Sequence, residues 1–199
     1  MQTVVEARTI AGLIPQSKLR NPALVVGGAL LTAAAAQVSI PLGFTPVPIT
    51  GQTFAVLLVS TALGWRMAVS SQALYWVLGA VGLPFYAGAK GGWTVATGST
   101  FGYFIGFVLA AAFVGYLAER GQDRSFATSF TVMSAGTIII YACGVSWLAR
   151  SLNVPMYTGD GQDAFTYGLA PFIVGDLIKM ILAAALTPSA WWLLSSRRS

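Results

Sequence analysis

The chain has 199 residues, 56% of them hydrophobic and only 9% charged, with a mean hydropathy of +0.73. An average soluble domain is about 25% charged, so the composition argues against a water-soluble globule, a disordered tail and a nucleic-acid binder. The net charge of +5 is carried by 11 Lys and Arg against 6 Asp and Glu, set thinly at the ends of apolar runs, a pattern that membrane topology explains.

In chain order, the first 20 residues, with Glu6, Arg8, Lys18 and Arg20, lack the apolar core and cleavage pattern of a secretory signal. They read as a cytoplasmic arm over residues 1–21. Apolar segments then run at about 22–40, 52–64, 66–83, 100–118, 126–149 and 171–194, near the ~20 residues that a helix needs to cross a bilayer. The second segment is short and crosses only by borrowing residues from the loop before it. The expected fold is an all-α integral membrane protein, a six-transmembrane-helix bundle over residues 22–194. Residues 195–199 form a cytoplasmic tail.

Orientation follows from the basic residues. Arg8, Lys18, Arg20, Arg66, Arg120, Arg124, Arg197 and Arg198 fall on one side of such a bundle, and only Lys90 and Arg150 on the other. Excess Lys and Arg mark the cytoplasmic side, so both termini are expected inside. The outer segments 41–51, 84–99 and 150–170 are long and rich in Gly, Pro and aromatics, whereas the inner turns are short. Function concentrates on elaborated loops at one face of a scaffold, which makes the outer face the candidate binding face.

There is no histidine and one cysteine, Cys143, inside an apolar run. Zinc, haem, iron–sulfur and disulfide chemistry therefore lack ligands or partners, and neither a metal site nor a catalytic residue is expected. Cys143 reads as a packing residue.

Asp176 and Lys179 are the only charges inside an apolar span. Each would cost about 2.5–3.5 kcal/mol at the centre of an inserting helix. Their i, i+3 spacing places both on one helical face, in the outer third of the membrane. An internal ion pair that only neutralises itself is one reading, and a snorkelling Lys179 is another. A third is a ligand site, because an acceptor beside a cation can hold an amide or ureido N–H and a carbonyl or carboxylate together.

Pro41, Pro46 and Pro48 cannot continue a helix, so residues 41–51 form either a structured cap over the bundle or a plain connector. Gly88, Gly91 and Gly92 beside Phe85, Tyr86 and Trp93 have the composition of a pocket for a small amphipathic molecule; an interfacial aromatic belt is the alternative for Trp93. In the first span Gly28, Thr32 and Ala36, and Ala29 and Ala33, form small-residue seams that let helices approach closely.

Over residues 25–190 the chain resembles the BioY family, the biotin-binding S components of energy-coupling-factor vitamin transporters. The resemblance rests on Ala36-Gln37-Val38-Ser39-Ile40-Pro41-Leu42, Pro46-Val47-Pro48-Ile49-Thr50-Gly51-Gln52-Thr53 and Gly82-Leu83-Pro84-Phe85-Tyr86-Ala87-Gly88 with Gly91-Gly92. It continues through Gly102-Tyr103-Phe104-Ile105-Gly106-Phe107 to the Asp-x-x-Lys of Asp176 and Lys179. It implies biotin as the transported ligand, no cofactor, no enzymatic activity and a multi-pass place in the cytoplasmic membrane. It further implies substrate contacts from Asp176, Lys179, Gln52, Tyr86, Gly92, Thr100 and Tyr103, a lid carrying Pro46, Pro48 and Thr50, and docking of a transmembrane coupling subunit on Ala29 and Ala33. Packing inside the bundle is the equal alternative for those two alanines. Where the family has Pro-Thr-Gly-Gly-Tyr, this chain has Ser99-Thr100-Phe101-Gly102-Tyr103, so that wall is expected to differ in shape.

No G-x-x-x-x-G-K-[ST] is present, so if transport is driven by ATP the ATP-binding subunits are separate chains, and the resemblance implies two of them. Self-association is the other partner reading, and lipid surrounds the bundle in either case. Rival functions are an S component for another small vitamin, a proton-coupled carrier cycling a proton on Asp176, and an intramembrane enzyme, the last disfavoured by the absence of histidine and of paired carboxylates.

Overall fold

The structure is a computed structural model that describes residues 8–196. Among these residues lie eight α-helices: α1 Arg20–Gln37, α2 Gln52–Leu63, α3 Trp65–Ala80, α4 Trp93–Ala96, α5 Phe101–Ala118, α6 Phe126–Leu152, α7 Ala164–Gly168 and α8 Ile173–Ser196. The six longer ones coincide with the six apolar segments to within three residues at each end. Glu6, Arg197, Arg198 and the extreme ends of the arm and tail lie outside the described residues, so that part of the orientation count has no structural counterpart.

One element departs from an all-α fold. β1 Ser39–Ile40 and β2 Ile49–Thr50 pair antiparallel, with Ser39 opposite Thr50 and Ile40 opposite Ile49. The cause is local: the three prolines forbid a helix between α1 and α2, and the extended ends of the segment then satisfy one another's backbone groups. The cap is therefore a short hairpin rather than an irregular connector.

The ends of α6 and the start of α7 carry readable signals. Ser125 accepts a hydrogen bond from the Thr128 N–H at 3.3 Å at the start of α6, a side-chain cap. Asn153 closes α6 in the left-handed region, φ +53°, and its N–H returns to the Ala149 carbonyl. Asp163 caps α7 by accepting from Thr166 N at 2.7 Å and Thr158 N at 2.9 Å. These amide donors hold its carboxyl well below the usual carboxylate range.

The central helix is α5, which packs against α2, α3 and α6, while α1 lies over α2 and α3, and α8 over α2 and α6. A Cβ on Gly106 of α5 would come within 2.7 Å of the Ile140 Cα on α6, so the backbones meet there with no room for a side chain. The outward face of α8 is apolar, with Val174 71%, Ile178 55% and Leu182 53% exposed, a surface suited to hydrocarbon rather than water. Phe101–Ala118, Phe126–Leu152 and the stretch Ala164–Leu194 are long and apolar enough to cross a membrane; α2 is a shorter apolar helix.

At the end of the bundle with short turns, a 3-10 turn over Ile10–Leu13 packs beside α2, and the guanidinium of Arg20 donates to the Ala11 carbonyl. Trp191 of α8 donates its indole N–H to Asp123 at 2.7 Å. Burial raises the Asp123 carboxyl above its ordinary range. The opposite end carries the long loops.

Candidate functional site

The loop-bearing end holds two adjoining cavities beside the proline hairpin, and a separate one of about 430 Å³ opens between α6 and α8, lined by Tyr141, Asp176, Met156 and Phe165 among others. Of the pair beside the hairpin, the inner, about 140 Å³, is lined by Thr50, Gln52, Tyr86, Thr100, Tyr103 and Phe104 among others, and the outer, about 390 Å³, by residues of the hairpin and of loop 84–92. Pro46, Pro48, Ala87 and Lys90 line both, so the proline segment is the partition between them. Its tip is pinned from the far side of the bundle by Thr45, whose hydroxyl donates to the Tyr167 carbonyl at 2.8 Å.

The wall of the inner cavity is a chain of satisfied polar groups on aromatic supports. The Thr50 hydroxyl donates to Gln52 Oε1 at 2.8 Å, and Gln52 Nε2 donates to the buried Tyr75 hydroxyl at 2.6 Å. Tyr86 packs edge-on against Tyr75, with centroids 5.7 Å apart, and donates its hydroxyl to the Trp76 carbonyl at 2.6 Å. Burial pushes that hydroxyl up to about 12, so Tyr86 is a donor throughout the physiological range. Tyr103 donates to the Gly168 carbonyl at 2.7 Å, tying α5 to the α7 segment.

Behind this wall sits the ion pair. Lys179 Nζ lies 2.6 Å from Asp176 Oδ1 and also donates to the Thr50 carbonyl at 2.6 Å. Asp176 is 3% exposed and accepts two further hydrogen bonds, from Thr53 at 3.2 Å on Oδ1 and from Tyr141 at 2.6 Å on Oδ2. Four elements, α2, α6, α8 and β2, thus converge on one carboxylate–ammonium pair. Hydrogen bonds to both carboxylate oxygens and a second acceptor for the ammonium are what allow such a pair to persist in an apolar bundle. Neither charged residue lines the inner cavity: Thr50 stands between, facing the cavity while its carbonyl engages Lys179.

Seven of the residues expected to serve as substrate contacts or lid, Pro46, Pro48, Thr50, Gln52, Tyr86, Thr100 and Tyr103, are brought together around the inner cavity. Two expectations are corrected. Gly92 lines neither of the two cavities beside the hairpin; it has φ +98° and donates its N–H to the Gly79 carbonyl at 2.7 Å, so glycine is there for the turn into α4. Ala29 and Ala33 are 0% and 6% exposed, inside the bundle where α1 crosses α3. The neighbouring Gly28 shows how tight that crossing is, since a Cβ on it would sit 2.6 Å from Ser71 Oγ. The face that α1 presents outward is Val26, Leu30 and Leu31. Phe101, the departure from the family pattern, turns to Trp76 and Trp147, with centroids 5.8 and 5.1 Å away. The free Cys143 lies half-buried on α6.

Sequence reasoning missed Thr53, Tyr75, Tyr141 and Lys90. Among the described residues, Lys90 is the charged side chain lining the two cavities beside the hairpin. It is held in a built turn: Tyr86 N donates to the Lys90 carbonyl at 2.9 Å, and Gln37 Oε1 accepts from Ala89 N at 3.0 Å.

Fold and site together define a helical membrane protein with a small, walled, partly polar cavity at its loop-bearing end. The sequence model of the BioY family matches residues 7–196, and the chain belongs to that family. It is 43% identical over 154 residues to the biotin transporter BioY of Thermotoga maritima, covering 77% of this chain and 85% of that one. It is 37% identical over 166 residues to the probable biotin transporter BioY of Pyrococcus horikoshii, covering 83% and 93%. The crystal structure of a biotin S component from an ECF-type ABC transporter superposes with a TM-score of 0.74 at 23% identity, over 88% of this chain and 94% of that chain, a likeness of fold.

Proposed function

We propose that the chain captures biotin at the outer face of the cytoplasmic membrane and passes it inward as the substrate-binding component of an energy-coupling-factor transporter. The observation that carries this reading is the buried Asp176–Lys179 pair directly beneath the β2 strand. A ureido group is both donor and acceptor, so once the hairpin lifts and Thr50 moves aside, its N–H suits the carboxylate and its carbonyl the ammonium. Family membership and the similarity to biotin transporters support the same ligand. The role is transport and not catalysis.

In this reading the ureido end lies inward and the carboxylate end meets Lys90 at the mouth. The inner cavity is smaller than the roughly 300–1,000 Å³ usual for ligand pockets, so entry requires the proline hairpin to lift and closure follows. Labelled biotin should bind the purified chain at equilibrium. Lys90→Glu, which turns attraction into repulsion at an exposed position, should weaken binding by about 1–2 kcal/mol, and more at low salt. No saturable binding of biotin to the purified wild-type chain would end the reading.

The bundle is taken to cross the membrane six times, through α1, α2, α3, α5, α6 and α8. The arm 1–21 and the tail 195–199 lie inside, and the membrane-embedded substrate-binding domain spans 22–194. A coupling subunit and two ATP-binding subunits act as separate chains. With Ala29 and Ala33 internal, the surface for the coupling subunit is the apolar groove of about 450 Å³ between α1, α2 and α8, lined by Gly27, Leu31, Leu58, Leu186 and Ala190. Orientation is tested by single cysteines at Lys90 and Gln122 in a Cys143→Ala background: an impermeant thiol reagent should label intact cells only at 90, and labelling at 122 instead would reverse the topology.

A further inference from the structure

At the end of the bundle with short turns, the start of α3 meets the last turns of α5. The approach is close: a Cβ on Gly115 would sit 2.7 Å from the Trp65 Cα, and the Trp65 N–H donates to Glu119 Oε1 at 3.1 Å. Trp65 is thereby fixed beside α5, where with Leu109, Ala112, Phe113 and Tyr116 it lines an open groove of about 450 Å³. Leu109, Phe113 and Tyr116 follow one another at helical spacing on one face of α5, and all three are exposed. The groove is apolar along that face and has a cationic rim. The guanidinium carbon of Arg66 lies 5.2 Å from the Trp65 ring centroid, and that of Arg120 lies 3.5 Å from the Tyr116 ring centroid. Stacking occupies the face of a guanidinium and leaves the N–H groups at its edge for an anion. Both arginines are exposed, and among the described residues neither forms an ion pair. Glu119, beside Arg120 in sequence, has its Oε1 on the Trp65 N–H.

We propose that this groove binds one anionic phospholipid of the inner leaflet, with its phosphate on Arg66 and Arg120 and an acyl chain laid along Phe113 and Leu109. A phosphate accepts the paired N–H groups of a guanidinium edge, and two such edges frame the rim. Free phosphate would satisfy that rim alone. Leu109 lies about 10 Å further along the axis of α5 than Tyr116, so the groove continues into the depth where an acyl chain runs. A zwitterionic lipid carries a cation of its own, which the two arginines repel, whereas an anionic headgroup carries none. Basic pockets between membrane helices on the cytoplasmic side suit such headgroups, and Trp and Tyr rings settle at headgroup level. The choice of leaflet rests on the orientation read from the basic residues.

The test titrates the purified chain in detergent, by native mass spectrometry, with phosphatidylglycerol, with phosphatidylcholine of the same acyl chains, and with glycerol 1-phosphate as the headgroup alone. Wild type should hold one phosphatidylglycerol about fivefold or more tighter than phosphatidylcholine, and should not retain glycerol 1-phosphate. Arg66→Gln with Arg120→Gln should bring the two lipids within about twofold of each other. Arg150→Gln, a charge lost at the opposite end of the bundle, should leave the preference unchanged. Equal retention of the two lipids by wild type, a preference that survives the double variant, or the same loss in Arg150→Gln would each overturn the proposal. Glycerol 1-phosphate held as tightly as the lipid would overturn it too, by making this a site for phosphate alone.

A second measurement keeps both arginines. The chain is placed in phosphatidylcholine nanodiscs containing a minority of phosphatidylglycerol, with the acyl chains of one lipid or the other brominated to quench tryptophan. The Trp65 share of the emission is the difference between wild type and Trp65→Phe. Brominated phosphatidylglycerol should quench that share about twofold or more strongly, per mole fraction, than brominated phosphatidylcholine, and equal quenching would overturn the proposal. Neither experiment needs biotin to bind or this end to face the cytoplasm. Failure of the transport reading therefore leaves both results intact, and the thiol-labelling experiment decides the leaflet separately.

Discussion

Lys179→Met and Asp176→Asn, made singly, should each lower biotin affinity by about 1.5–3 kcal/mol, the worth of a hydrogen bond to a charged group, or roughly ten- to a hundredfold in Kd. They should also lower stability without ligand, because each leaves a charge or its donors without the group that balances them. In Lys179→Met the carboxylate, 3% exposed, keeps Thr53 and Tyr141 but loses its counter-charge, a change that costs about 3–5 kcal/mol at fully buried pairs. The double variant separates the two roles. Matched neutral residues at both positions should return the melting temperature towards wild type, while biotin affinity stays low. Recovery of affinity along with stability would show that the pair is structural only.

The second large effect concerns the hairpin. Pro46→Gly with Pro48→Gly should raise the biotin dissociation rate about five- to thirtyfold. Each replacement adds about 0.4–1 kcal/mol of backbone freedom to the open segment, so the closed state is disfavoured by roughly 1–2 kcal/mol. The association rate should change much less, since differences among related variants fall mostly in the off-rate. Val47, only 7% exposed between the two prolines, should keep the segment seated often enough for binding to remain measurable. Stopped-flow kinetics decide it: an unchanged off-rate would mean that the hairpin does not gate the site.

Much of this architecture could be read in advance because the signals are physically strong. Six apolar runs are broken by Gly, Pro or charge, and helices begin and end at those breaks. Asp176 and Lys179 stand out because no other charge lies within an apolar run. Direction is harder to read. The seam of Ala29 and Ala33 says that something packs closely, yet small residues serve an internal helix and an external partner equally well, and only the crossing with α3 decides. Tyr141 had no sequence signal at all, being one aromatic among many in the apolar run that becomes α6. Lys90 was visible only as a topology charge, since its place at the mouth depends on the turn built by Tyr86 and Gln37. Gly92 was read as room for a ligand because glycine marks both close approach and positive φ.

The grip of Lys179 on the hairpin is made to the carbonyl of Thr50, an atom that every residue type supplies. No side-chain replacement at position 50 deletes that acceptor, so apart from Thr45, which fastens the tip through its hydroxyl, residues 41–50 can vary in the groups they show to the cavity while this fastening stays the same. Ligand preference on this scaffold is therefore open to redesign by exchanging hairpin sequences of equal length. A change in length is a different matter: it would shift the register of Ser39 with Thr50 and bring another carbonyl, or none, opposite the ammonium.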